Sequence, residues 1–225
     1  MRDEAAGTSV DSTPMNRSIA SADIRLLLFD VGGVLVELGG VEVILAWLGN
    51  RLTAEELWQR WLQSVAVRRF ESGQIDAPEF AAGVIAEFGL AVEPKRFLES
   101  FVGWPTGLYP GTLELLSRIP RRYRRALLSN SNPLHWPRVL DEMGLRPVFD
   151  DHFVSHLTGH IKPDHAAFAH VLQSLGCRPA EVLFFDDNAL NIDAARHMGL
   201  HAVRVRGLAE ARQALIDLNI IDADT

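Results

Sequence analysis

The sequence holds one cysteine in 225 residues, Cys177. That excludes an internal disulfide and suits a reducing compartment. Its flanks, SLGCRP, read as a helix end, which makes the thiol an inert one. Basic residues are the scarcer charge: 22 Lys and Arg stand against 29 Asp and Glu, for a net charge of -7. This balance argues against general binding to nucleic acid or anionic membrane, while leaving room for a locally positive anion site. No stretch approaches the roughly 18 uninterrupted apolar residues of a membrane span. The first residues also lack the apolar run of a signal peptide. A soluble, cytoplasmic protein is expected, with the small and polar residues 1–22 as a flexible tail.

The hydrophobic share is 48% and the charged share 23%, enough for one domain or a core with a modest insert. Leu26 to Phe29 are apolar without alternation, as in a strand buried on both faces of a parallel sheet. Asp30 follows at the carboxyl end, where open α/β sheets bind ligands, and Gly32-Gly33 permits a tight turn. The spacing then predicts helices over Val41–Leu48 and Ala54–Phe70. Asp76-Ala-Pro-Glu79 is an N-cap signal for a helix ending at Gly89, and a short helix follows from Pro94 to Phe101. Residues 41–104 are therefore read as a helical lid, with Trp47, Trp58 and Trp61 as its core. Residues 23–40 and 105–225 make the α/β part.

From Tyr109-Pro-Gly111 onward the pattern alternates. A helix at Thr112–Arg118 precedes a strand at Arg125–Leu128, and a helix at Pro133–Met143 precedes a short strand at Phe153-Val154. Next come a loop through Lys162, a helix at His165–Leu175, a strand at Val182–Phe185, a helix at Ala189–Met198 and a strand at His201–Val205. Repeated units of this kind imply a parallel sheet with helices on both faces.

Four polar places follow the strands: Asp30, Ser129, Lys162 and the pair Asp186-Asp187. Parallel strands bring their carboxyl ends to one edge, so these residues converge. Crowded carboxylates raise one another's pKa unless a divalent cation holds them ionised, and hard oxygen donors suit Mg²⁺ with waters and a phosphate. A hydroxyl and an ammonium would bind phosphate oxygens, leaving Asp30 free as a nucleophile. His156, His160 and His165 fall across a strand end and a loop and do not read as a zinc site. The arginines between Arg118 and Arg125 read as a solvated edge.

The motifs FDVGGV, LLSNS, IKPD and FFDDNALNID, in this order, resemble the four motifs of the haloacid dehalogenase (HAD) superfamily. The helical insert resembles its C1-type cap. The likeness spans about residues 24–206. It implies a Rossmann-like core with an inserted helical cap, and a Mg²⁺-dependent phosphatase acting on a small phosphorylated metabolite. Asp30 would become an aspartyl phosphate, and Lys162 would share in the catalysis. Ser129, Asn130, Lys162 and Gly33 would bind the phosphoryl group, and Asp30, the Gly32 carbonyl, Asp187 and Asp186 the metal. Asn188 and Asn191 would support these acids, with Arg69 and Glu71 reaching the site from the cap.

The sequence departs from that pattern at Gly32, where most phosphatases of the superfamily carry a second aspartate as general acid and base. A branch with an FDxGG-type first motif resembles the chain more closely. Three possibilities follow: another acid serves, with Glu37 the nearest downstream, the leaving group is good, or hydrolysis is slow. The rival reading is a non-catalytic or regulatory homologue that binds a phosphorylated ligand or a protein partner. The family's metal-independent 2-haloacid dehalogenases have no use for a pair such as Asp186-Asp187.

Overall fold

The computed structural model describes residues 23–223, and the tail expected at 1–22 lies outside them. Four successive apolar residues bury both faces of a strand, and in β1 (Leu26–Phe29) all four side chains are inaccessible. A short β2 (Val36–Leu38) leads into five helices: α1 (Gly40–Trp47), α2 (Ala54–Gln63), α3 (Val65–Glu71), α4 (Ala77–Phe88) and α5 (Pro94–Phe101). The chain leaves them along β3 (Pro105–Leu108), which pairs antiparallel with β2 as a two-stranded ribbon. Then come α6 (Thr112–Ser117), β4 (Arg124–Ser129), β5 (Asp151–Val154), α7 (Ser155–Thr158) and α8 (His165–Leu175). The last elements are β6 (Val182–Asp186), α9 (Ala189–His197), β7 (His201–Arg204) and α10 (Gly207–Asp217).

The main sheet has the order β5-β4-β1-β6-β7 and is parallel throughout. Alternation along its strands feeds two separate cores. Leu27, Phe29, Leu183 and Phe185 enter one, with Leu115, Leu215 and Trp136. Leu26, Leu28, Val182 and Phe184 enter the other, with Phe168 of α8 and Ala195 of α9. The expected α/β class is therefore the observed one. Among the described residues no helix is long and apolar enough to cross a membrane.

The helices between β2 and β3 have an apolar core of their own, in which Phe70 and Phe80 stack at 4.3 Å between ring centroids and Trp61 is buried. Capping boxes start α2 at Thr53 and α4 at Asp76, and α4 stops at Gly89 in the left-handed conformation. The single helix expected over Ala54–Phe70 is broken at Ser64, whose hydroxyl accepts from Val67 N–H at 3.1 Å and donates to Glu87. Glu87 also accepts from Ala66 N–H at 2.9 Å, an acid bound to the positive end of α3. The helix expected at Pro133–Met143 is instead a turn, α-type bonds from Trp136 N–H to Asn132 O and from Val139 N–H to His135 O, and a π-helical stretch at Arg138–Glu142 closed by Met143 N–H on Arg138 O.

Candidate active site

The registers of the central strands set the site. Phe29 stands opposite Leu127 of β4 and Phe185 of β6, so the three chains reach the carboxyl edge together. Asp30 is held there by its N–H, which donates to Phe185 O at 2.8 Å. Ser129 ends β4 and Asp186 ends β6, each one residue deeper in its strand than expected. Lys162, 2% exposed, enters from the loop after α7 and bridges two of the acids, with Nζ 2.8 Å from Asp30 Oδ1 and 2.7 Å from Asp186 Oδ2.

Asp186 is inaccessible and hydrogen-bonded on both oxygens. Besides Lys162 it accepts from Asn188 N–H at 2.8 Å and from Asn191 Nδ2 at 3.0 Å to each oxygen. Asn188 also caps α9, its Oδ1 accepting from Leu190 N–H at 3.0 Å. Both asparagines thus sit against the acid they were expected to support.

Asp30, Asp186 and Asp187 each place a carboxylate oxygen within 4.8 Å of the others. Burial, together with Asp186 and Asp187, drives the Asp30 carboxyl well above the usual range, and Lys162 only partly opposes this. Burial and Asp186 push Asp187 up to about 6. Burial works against the charge of Lys162, but Asp186 and Asp30 hold its ammonium above the ordinary lysine value. One ammonium among three carboxylates leaves a negative cluster of hard oxygens, the donor set that Mg²⁺ accepts.

Gly33 has φ 73°, and a Cβ there would stand 2.4 Å from Asp187 Oδ2, so only glycine lets this acid approach the turn. The expectation that Gly33 binds phosphate is corrected: its N–H donates to Val36 O at 2.9 Å. Gly32 lines the cavity, and a Cβ on it would stand 2.9 Å from Leu38 Cδ1. The carboxamide of Asn130 is likewise committed elsewhere than expected. Its Oδ1 accepts from Lys162 N–H at 2.8 Å and its Nδ2 donates to Lys162 O at 2.9 Å, fixing the backbone that aims the ammonium. The Ser129 hydroxyl, by contrast, has no hydrogen-bond partner among the described residues and lines the cavity.

Asp30, Asp187 and Lys162 line the floor of a cavity of about 770 Å³ between the sheet edge and the helices, a size suited to a small molecule. Glu71, the last residue of α3, lines it. Arg69 is exposed and does not line the cavity, because it lies on another face of the same helix. Burial pushes Glu71 up to about 7 although Lys162 and Arg68 lower it. Glu37 stays on the ribbon, its carboxylate 3.4 Å from Thr106 Oγ1.

Trp58 is not core, as its helical spacing had suggested: it is 40% exposed and faces the cavity with Leu62 and Leu38. His135 had no signal in the sequence, since its role arises only in the folded state. Its ring stacks on Phe101 at 4.1 Å and its Nε2 donates to Phe101 O at 2.6 Å, tying the turn after β4 to the end of α5. Burial pushes this imidazole down to about 4.

The arrangement has counterparts among known proteins. The family model described as haloacid dehalogenase-like hydrolase matches residues 24–199. The chain belongs to the haloacid dehalogenase-like hydrolases. Among its HAD relatives, it is 25% identical over 199 residues to D-ribitol-5-phosphate phosphatase of Bacteroides thetaiotaomicron, covering 85% of this chain and 97% of the relative. To phosphoglycolate phosphatase of Pseudomonas putida it is 28% identical over 188 residues, covering 80% and 68%. A HAD-family enzyme of Bacteroides thetaiotaomicron solved with magnesium and inorganic phosphate superposes with a TM-score of 0.65 at 25% identity, over 81% of this chain and 94% of that one. L-2-haloacid dehalogenase of Xanthobacter autotrophicus shares the fold, with a TM-score of 0.60 at 22% identity over 89% and 85%.

Proposed function

We propose that the protein is a Mg²⁺-dependent phosphatase that transfers the phosphoryl group of a small phosphorylated metabolite to Asp30 and then to water. The observation that carries this reading is the Lys162 bridge between Asp30 and Asp186, with Asp187 beside them, at the floor of a cavity of small-molecule size. Relatives that are phosphatases, and a solved relative holding magnesium and phosphate, support it.

In this reading one Asp30 oxygen attacks phosphorus in line with the leaving oxygen, and water later cleaves the aspartyl phosphate. Lys162 keeps Asp30 oriented and offsets charge on the transferring group, and the Ser129 hydroxyl donates to a phosphoryl oxygen. Asp186 orients Lys162 rather than facing the substrate, since its oxygens already carry hydrogen bonds. Asp30, Asp187 and the Gly32 carbonyl would hold Mg²⁺, with Asp186 beside them. Bound magnesium supplies positive charge to the phosphoryl oxygens. The apolar wall of Trp58, Leu62 and Leu38 favours a phosphate ester that exposes some apolar surface, whether sugar phosphate or similar. The acidic charge balance and the single cysteine fit a cytoplasmic enzyme without nucleic-acid or membrane partners.

The second reading, a phosphate-binding homologue without turnover, is favoured by Gly32 alone. A panel of phosphorylated metabolites, assayed for released phosphate with Mg²⁺ and with EDTA, separates them. Metal-dependent release from any member supports the phosphatase, whereas binding without release from every member supports the rival.

A further inference from the structure

General acid and base catalysis needs a group that meets the leaving oxygen from the open side of the cavity, opposite the floor that holds Asp30. Residue 32 cannot supply it. Besides Asp30 and Asp187, the acids lining the cavity among the described residues are Glu55 and Glu71. Glu55 is exposed in the first turn of α2. Glu71 is half-buried at the end of α3 and feels the charge of Lys162.

Two contacts hold that helix end against the core. Arg68 Nη2 lies 2.8 Å from Asp164 Oδ2, two residues beyond Lys162. Gly73, at φ 73°, packs so closely on the backbone of α7 that a Cβ would stand 2.4 Å from His156 O. The helix end that carries Glu71 is therefore held against the Lys162 loop and α7, with Glu71 in the cavity wall, although it belongs to the helical insert.

Resting on the phosphatase reading above, we propose that Glu71 is the proton donor and acceptor that takes the place of the absent aspartate at position 32. In the first step the Asp30 oxygen bonds to phosphorus and the bond to the leaving oxygen breaks with its electron pair. The carboxylic acid of Glu71 protonates that oxygen, releasing an alcohol. In the second step the Glu71 carboxylate takes a proton from water as the water oxygen bonds to phosphorus. The bond from phosphorus to Asp30 breaks, restoring both carboxyl groups. The charges that act on Glu71 are Lys162 on the loop and Arg68 on its own helix. Arg68 is in turn paired with Asp164, and the α7 residue packed on the turn that follows is the half-buried His156. Its carboxyl, pushed up to about 7 by burial, is well placed to hold the proton near neutral pH.

The test is leaving-group dependence. In Glu71→Gln, single-turnover phosphoryl transfer from an alkyl phosphate falls by about 10² to 10⁴, the usual worth of general acid help, and from p-nitrophenyl phosphate by less than about tenfold. With the aryl ester, p-nitrophenol appears as a burst followed by slowed turnover. Equal losses on both esters would overturn the proposal, as a merely structural role would give. If Glu71→Gln does not fold, the wild-type pH profile decides. The kcat/KM for the alkyl ester should fall above about pH 7 while that for the aryl ester does not, and parallel profiles would overturn it. If the wild type and Asp30→Asn release phosphate equally, the phosphatase reading itself fails, an outcome distinct from either.

Discussion

Lys162 and Asp186 form a buried pair, Nζ to Oδ2 2.7 Å, and neither is exposed by more than 2%. The same ammonium reaches Asp30, so one side chain fixes two acids that come from adjacent strands.

Removing one partner of such a pair leaves buried charge without compensation, which costs about 3 to 5 kcal/mol. Lys162→Met is therefore expected to lower stability by about 3 kcal/mol and to lower the melting temperature by roughly 6 to 12 °C. Chemical denaturation at pH 7 checks this. A loss below about 1 kcal/mol would mean that the acids are held by their other hydrogen bonds.

The two glycines of the first turn differ sharply. Gly33→Ala places a methyl group on the Asp187 carboxylate at a positive φ, and should displace that acid as well as strain the backbone by about 1 kcal/mol. Gly32→Ala meets only the end of the Leu38 side chain, which can rotate. Titration calorimetry should show weakened Mg²⁺ binding for Gly33→Ala and little change for Gly32→Ala.

Much of this site is legible in the sequence because its parts end apolar strands. LLLF before Asp30 and VLFF before Asp186 bury both faces of the sheet, and parallel order then brings their carboxyl ends together. The ribbon is not legible. Val36–Leu38 and Pro105–Leu108 are too short to show a period, and they become strands only by pairing across the whole helical insert. Ser64 hides in a helical pattern because its break depends on Glu87, a residue of the next helix but one. Trp58 and Trp61 share the same helical spacing and both reach the cavity, yet Trp58 is 40% exposed there while Trp61 is 8% exposed and packs into the core of the helices. Spacing places residues on a helix without saying what that helix packs against.

His135 shows the same limit and carries a pH prediction. Its folded pKa of about 4 lies below the ordinary histidine value, so the unfolded chain binds the extra proton between these values. Its contribution is fully present above about pH 6.5 and is lost as pH falls toward about 4, by up to about 3 kcal/mol. The stability difference between wild type and His135→Gln, measured by denaturation across this window, should move by that amount in favour of the variant as pH falls. A constant difference would contradict the assignment.

Trp58 lines the cavity 40% exposed, and an aromatic contact there is worth about 0.5 to 1.5 kcal/mol beyond its area. Trp58→Ala should raise KM for p-nitrophenyl phosphate several-fold and leave KM for 2-phosphoglycolate, which has no apolar body, near the wild-type value. Equal changes for both would remove the residue from substrate contact.

The central claim is that Asp30 accepts a phosphoryl group, and it is tested most directly by phosphate release from p-nitrophenyl phosphate with Mg²⁺, compared between wild type and Asp30→Asn. The account predicts release by the wild type and a fall of at least about 10³-fold in the variant, as expected when a nucleophile is removed. Equal rates in the two proteins would contradict it.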